Sequence, residues 1–249
     1  MRPYASTARW YDRIYSGRRD YPAEAATLSQ MILEHDASAT SLLDVACGTG
    51  LHLVHLTERF EAVGVDASPE MLAHARRRLP NCVRLHEADM AQMRLGRTFD
   101  VVICLYSSIG YVETFERLTA TARRMAGHLH EGGIVIVEPW VLREHWHDPG
   151  ITSAEVYDDE EPLLVRVVSS CRDGERSIVD IHYVEASPGH TAALDERHVL
   201  GLFTADQYHE AFQRAGFEVT LDIEGGFIGR GLLAGIKRNA TFSGGDRAI

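Results

Sequence analysis

Basic charge is scarce in this chain. Lys and Arg total 25 against 36 Asp and Glu, the net charge is −11, and no basic run exceeds Arg76-Arg77-Arg78. A surface that tracks nucleic-acid phosphates needs clustered cations, so no nucleic-acid partner is expected. Cysteine is also sparse. Cys47, Cys82, Cys104 and Cys171 show no C-x-x-C spacing, which reads as reduced thiols in a cytoplasmic protein. No apolar run reaches the ~18 residues that cross a bilayer. The N-terminus lacks the apolar stretch of a signal peptide. His52/His55 and His145/His147 have spacings that a metal could use, but no carboxylate or cysteine pattern accompanies them. No metal is expected.

What is present is an ordinary globular composition, 45% hydrophobic and 24% charged, over 249 residues. That length suits one large domain or a domain with a substantial insert. The chain is organised around Leu42-Leu-Asp-Val-Ala-Cys-Gly-Thr-Gly50. A short apolar run enters, small residues and glycines follow, and an amphipathic run starts at Leu51. This is the pattern of a buried strand turning into a helix. Glycine lets a ligand lie against the backbone, and the helix points free N–H groups into the turn. A dinucleotide turn would carry a third glycine. Here Leu51, His52 and Leu53 follow Gly50 instead, and an acid, Asp44, precedes Gly48.

Strands and helices alternate through residue 138. Strands are expected over 41–46, 62–66, 83–86, 99–105 and 134–138, with helices over 22–35, 51–59, 114–130 and from 69. That alternation implies a doubly wound parallel sheet. From 141 it stops. Strand-like runs at 163–171, 177–186 and 193–203 have no helix between them, so they read as an inserted antiparallel layer over 141–203. Thr204 caps a helix through 215, and strands 217–223 and 230–236 close the sheet as a hairpin. The domain boundaries expected are thus 1–140, 141–203 and 204–238, with 239–249 a disordered tail.

Several residues fall at the carboxyl edge of this sheet, where open α/β sheets bind ligands. Asp66 ends the second strand, sixteen residues after Gly50. Its carboxylate suits a ribose diol, and a cap for the next helix is the bland alternative. Asp89-Met90 follows the third strand and suits an adenine, the alternative being a surface turn. Residues 1–21 hold Tyr4, Trp10, Tyr11, Tyr15 and Tyr21. They form either a helix packed by its rings or a lid over a ligand.

The D-x-A-x-G-x-G turn with Asp66 and Asp89-Met90 resembles class I S-adenosylmethionine (SAM)-dependent methyltransferases over 1–140 and 204–238. A narrower resemblance joins Ser107-Ser-Ile-Gly-Tyr111, Glu138-Pro-Trp140, His182-Tyr183, Leu202-Phe-Thr204 and Gly229-Arg-Gly231 to the nucleotide-sugar N-methyltransferases. These dimethylate dTDP-linked deoxyaminosugars for antibiotics. The pattern departs from the family at Val141, where a second tryptophan is common, and at Gly225-Gly-Phe, where G-G-P is common. The resemblance implies a Rossmann-like, seven-stranded sheet with an inserted layer. It implies SAM held by Asp44, Ala46, Gly48, Gly50, Asp66, Ala67, Asp89, Met90, Leu105 and Tyr15. Glu138, Tyr11 and Tyr111 then serve catalysis, and Arg230, Trp140, Ser107 and Tyr11 the sugar nucleotide. A homodimer is compatible with edge strands in the insert. An acceptor that is a finished natural product, or a non-catalytic nucleotide-binding role, are the competing functions.

Overall fold

The computed structural model describes Tyr4, residues 6–227 and residues 229–238; the expected tail, 239–249, lies outside the described residues. The chain runs α1 (Ala8–Tyr15), α2 (Tyr21–His35), β1 (Ser41–Val45), α3 (Leu53–Leu56), β2 (Glu61–Asp66), α4 (Pro69–Arg78), β3 (Arg84–Glu87) and β4 (Phe99–Cys104). It continues through α5 (Phe115–Gly127), β5 (Leu129–Val137), β6 (Thr152–Tyr157), β7 (Leu163–Asp173), β8 (Arg176–Ser187), β9 (His190–Gly201), α6 (Ala205–Arg214), β10 (Phe217–Asp222) and β11 (Leu232–Lys237).

The main sheet has seven strands in the order β10-β11-β5-β4-β1-β2-β3. The β1–β5 pairings are parallel, and β11 runs antiparallel between β5 and β10. Strand order reverses between β1 and β4, which opens a crevice at their carboxyl ends. The alternation of side chains explains why this sheet is covered twice. Leu42, Val101, Ile103, Ile134 and Ile136 face Leu28, Ile32, Leu72 and Ala75 of α2 and α4. Leu43, Val45, Val102, Cys104 and Val135 face Leu118, Met125, Ala211 and Phe212 of α5 and α6. Strands buried on both faces read as continuous apolar runs. Polar caps start the helices: Ser68 accepts from the Met71 N–H, Thr114 from Arg117, and Thr204 with Gln207 closes a capping box.

Strands β6 to β9 form a second, antiparallel sheet. Its inner face carries Leu164, Val168, Ile181 and Tyr183, which pack against Trp10, Ile14 and Tyr15 of α1. Helix α1 also reaches the glycine turn after β1 and the end of α4. Asp12 accepts from Thr49 Oγ1 at 2.6 Å and from Arg78 at 2.6 Å. The N-terminal helix therefore spans the gap between the two sheets.

Four local expectations need correction. The helix expected over 51–59 is regular only at Leu53–Leu56, because His55 and Glu58 donate three residues back, to His52 and His55. The strand expected over 134–138 already begins at Leu129, and Gly132-Gly133 lies inside it, where a Cβ on Gly133 would stand 2.9 Å from the Asp100 carbonyl. The helix expected to reach 130 accordingly stops at Gly127. Strand β6 is an exposed edge without apolar alternation, so no periodicity announces it.

Candidate active site

The glycine turn leaves β1 through three left-handed positions on alternate residues: Ala46 at φ 62°, Gly48 at φ 57° and Gly50 at φ 78°. This brings the Gly48 N–H to Asp66, which accepts it at 2.8 Å. Asp66 also accepts the Ser68 N–H at 2.8 Å. Each carboxylate oxygen thus holds one backbone donor and keeps lone pairs for more. Burial pushes the Asp66 carboxyl up, an effect that its backbone donors only partly offset. Asp44 is buried, and no hydrogen bond to its carboxyl forms among the described residues. Burial, then the neighbouring Asp66, pushes it well above the usual carboxylate range. A cationic ligand group would restore its charge.

A cavity of about 1090 Å³ lies between the glycine-turn edge and the inner face of the second sheet. That exceeds the usual space for one small ligand and suits two. Ala46, Gly48, Asp66, Ala67, Asp89 and Met90 line its floor. Tyr11, Tyr15, Ser107, Tyr111, Trp140 and Arg230 line the part beneath the insert. Asp44 and Leu105 line a small adjoining recess, which shares Ala46, Gly48 and Tyr11 with the main cavity. Asp89 accepts from the Ala91 N–H and from Arg117, both at 2.7 Å.

Two expected site residues line neither space. Gly50 turns the backbone; a Cβ there would lie 3.0 Å from Leu79 Cδ1 at a left-handed φ. Glu138 does not face the cavity. It is fully buried, accepts from Arg19 at 3.0 Å and from the Tyr106 N–H at 2.7 Å. Arg19 bridges it to Glu24, which also meets His52 at 2.8 Å. Burial alone would lower the Arg19 guanidinium, but Glu24 and Glu138 hold it above its ordinary value. The contact with Tyr106 fixes a strained turn, since Tyr106 and Ser107 both adopt positive φ, 55° and 60°. A strand-end glutamate thus shapes the cavity wall from behind.

Arg230 precedes β11 and stacks on Trp140, 4.3 Å from the ring centroid. It donates weakly to Ser107 Oγ at 3.4 Å. Among the described residues no carboxylate pairs with it, and burial lowers its pKa. A planar cation without a counter-ion, aimed into a cavity, is suited to a bidentate oxyanion.

Tyrosines ring the middle of the cavity. Tyr4 and Tyr11 stand 5.3 Å apart edge to face, Tyr11 and Tyr15 4.5 Å, Tyr15 and Tyr106 5.5 Å. The N-terminal aromatics divide their duties. Trp10 and Ile14 pack on the insert, while Tyr4, Tyr11 and Tyr15 reach the cavity. Burial raises the Tyr4, Tyr11 and Tyr111 phenols far above their ordinary value. They stay protonated and present neutral, electron-rich faces, which suit a cation.

Residues 42–133 match a family described as a methyltransferase domain. The chain is 42% identical, over 91% of its length and 95% of the relative's, to the dTDP-3-amino-3,4,6-trideoxy-alpha-D-glucopyranose N,N-dimethyltransferase of Streptomyces venezuelae. The chain belongs to the SAM-dependent sugar N-methyltransferases. The enzyme is also 36% identical, over 91% of both chains, to the dTDP-4-amino-2,3,4,6-tetradeoxy-D-glucose N,N-dimethyltransferase of Saccharopolyspora spinosa. A solved SAM-bound amino pentose methyltransferase from Micromonospora echinaspora superposes with a TM-score of 0.82 at 34% identity. It covers 91% of this chain and 96% of its own. Among the described residues of the methyltransferase, no helix is long and apolar enough to cross a membrane. Nor do His, Cys, Asp or Glu side chains group there to hold a metal ion.

The methyltransferase also brings to the cavity residues that sequence reasoning missed: Arg166 on β7, His198 on β9 and Glu155 on β6. One signal was available. Along β9, Leu194, Glu196, His198 and Leu200 occupy alternate positions, so two ionisable residues share a face with two leucines.

Proposed function

We propose that the enzyme transfers two methyl groups from SAM to the amino group of a dTDP-linked deoxyaminosugar. SAM, when bound, supplies the methyl as a sulfonium. Asp66 would hold its ribose, Asp89 and Met90 its adenine, and Asp44 its ammonium group through the recess. Tyr11 and Tyr15 would face the cationic centre. The chain's main contribution is to align the nitrogen with the methyl carbon, which is worth ~7–11 kcal/mol for well-oriented reactants. Charge moves from sulfur to nitrogen rather than being created, so no strong acid or base is required for the transfer itself.

The observation that carries the acceptor reading is Arg230, which lines the cavity stacked on Trp140 and has no carboxylate partner among the described residues. A nucleotide diphosphate supplies the missing counter-ion. Arg230→Ala is expected to raise KM for a dTDP-aminosugar about 10–100-fold, the loss of one charged hydrogen-bonding partner. Its kcat should change less than about threefold. Arg230→Lys should fall between, since it keeps the charge but loses the fork. Steady-state kinetics check this, and an unchanged KM removes the phosphate role.

Asp44 gives a pH dependence for SAM. Its folded-state pKa is raised, so in the free enzyme the carboxyl is protonated over a window that starts above ~4. A ligand ammonium requires the ionised form, so binding in that window releases a proton. SAM affinity should therefore strengthen as pH rises through the window and level off above the raised pKa. In Asp44→Asn the Asp44 contribution to that slope disappears. Calorimetric titrations in buffers of different ionisation enthalpy measure the released proton.

A further inference from the structure

We propose that Tyr111, His198 and Glu196 form a proton relay that strips the acceptor nitrogen between its two methylations; this rests on the N,N-dimethyltransferase reading above. Tyr111 lines the cavity, and its hydroxyl lies 2.8 Å from His198 Nδ1. The other ring nitrogen, Nε2, is 3.4 Å from a Glu196 carboxylate oxygen, an ion-pair distance without hydrogen-bond alignment. Nε2 is buried and has no other partner among the described residues. Glu196 is itself held. Thr7 Oγ1 donates to it at 2.8 Å and the Tyr4 N–H donates to its other oxygen. His198 is 3% exposed and Glu196 7%. The sheet does not demand these residues. They take inward positions on β9 between two leucines, where apolar side chains would avoid the cost of burying an ion.

The geometry assigns the protons. Glu196 faces Nε2, so Nε2 carries the hydrogen and Nδ1 accepts from the Tyr111 hydroxyl. Among the described residues, three ionisable groups face the His198 ring. Glu196 comes from β9 itself, Tyr111 from the turn after β4, and Tyr4, 4.9 Å away, from the N-terminal segment. Across the sheet, β8 sets the apolar Val179 opposite it. Glu196 is therefore the nearest anion to the ring. Burial raises the Glu196 carboxyl, but His198, Thr7 and the Tyr4 amide outweigh that and hold it below its usual range. It is ionised at neutral pH.

The chemistry needs such a route. Each transfer forms an N–C bond and leaves a cationic nitrogen that still bears hydrogen. A second attack requires its lone pair back. As the N–H bond breaks, its electron pair stays on nitrogen and the proton goes to the Tyr111 oxygen. The Tyr111 O–H proton passes at the same time to His198 Nδ1. The phenol, held far above its ordinary pKa by burial, never has to carry a full negative charge. The imidazolium rests against Glu196 and gives its proton to water when product leaves.

The test follows mono- and dimethylated products by mass spectrometry as a function of pH. It compares the wild type with Tyr111→Phe, His198→Gln and Glu196→Gln on a dTDP-aminosugar. The relay predicts that Tyr111→Phe and His198→Gln release monomethyl product at about pH 7, with the second transfer slowed about 100-fold or more. At about pH 9, above the ~8 where such an amine titrates in water, the defect should shrink below about tenfold. Variants that keep the wild-type pH profile and give only dimethyl product overturn the relay. So do variants whose defect is the same at every pH, which marks a purely structural role. If His198→Gln no longer binds S-adenosylhomocysteine, Tyr111→Phe, which leaves the buried pair in place, decides the matter. A wild type that methylates no dTDP-aminosugar instead overturns the substrate reading, and the relay with it.

Discussion

Arg19→Met should lower the melting temperature by roughly 6–20 °C. The reasoning starts from burial. The Arg19 side chain is 1% exposed, Glu138 0% and Glu24 9%. One guanidinium neutralises both carboxylates, at 2.7 Å and 3.0 Å. Removing one partner of a buried ion pair strands the other, which costs about 3–5 kcal/mol. In a protein of this size each kcal/mol moves the midpoint by about 2–4 °C. The double variant Arg19→Met/Glu138→Gln should recover part of the loss, because it removes a charge from each side. The damage should also reach activity. Glu138 holds the Tyr106 N–H, and with it the left-handed Tyr106-Ser107 turn that carries Ser107 into the cavity. Calorimetry of the single and double variants checks this. A shift under about 2 °C for Arg19→Met would show that the network contributes little.

Asp66→Ala should weaken SAM binding about 100-fold or more. If both ribose hydroxyls donate to this carboxylate, each charged hydrogen bond is worth about 1.5–3 kcal/mol. The alanine also strands the Gly48 and Ser68 N–H groups that Asp66 now accepts. The competing idea, that Asp66 caps the following helix, meets a specific obstacle. The cap of α4 is Ser68, whose hydroxyl accepts from the Met71 N–H. Asp66→Asn keeps one acceptor oxygen and should lose less. Titration of each variant with SAM, alongside melting curves without ligand, separates the two roles. A variant that melts lower yet binds SAM as the wild type does would make Asp66 a structural residue.

Much of the core was legible because its strands are covered on both faces. Val101, Val102, Ile103 and Cys104 must all be apolar when α2 and α5 lie on opposite sides, and that run stands out in the sequence. The glycine turn was legible for a related reason. A short strand, a left-handed turn and an acid at the end of the next strand leave a fixed spacing. Pairings across distant segments were not legible. Glu138 ends a strand at the ligand edge, as an acceptor-binding acid would, but Arg19 arrives from 119 residues away and turns it inward. Strand β6 pairs through its backbone and needs no apolar face. Glu196 and His198 share a face of β9 with two leucines, but their role was not legible, because the partners that hold them, Thr7 and Tyr111, come from distant segments. Around the acceptor the chemistry depends on such long-range contacts, so single motifs say least there.

The most direct measurement is turnover of methyl-labelled SAM with a dTDP-linked 3-amino or 4-amino deoxysugar, set beside the same amine on a finished glycoside lacking the nucleotide. The cavity, lined by both Asp66 and Arg230, leads us to expect two labelled methyl groups on the nucleotide-linked amine and little or no transfer to the glycoside. Transfer to the glycoside, with none to any nucleotide-linked amine, would contradict it.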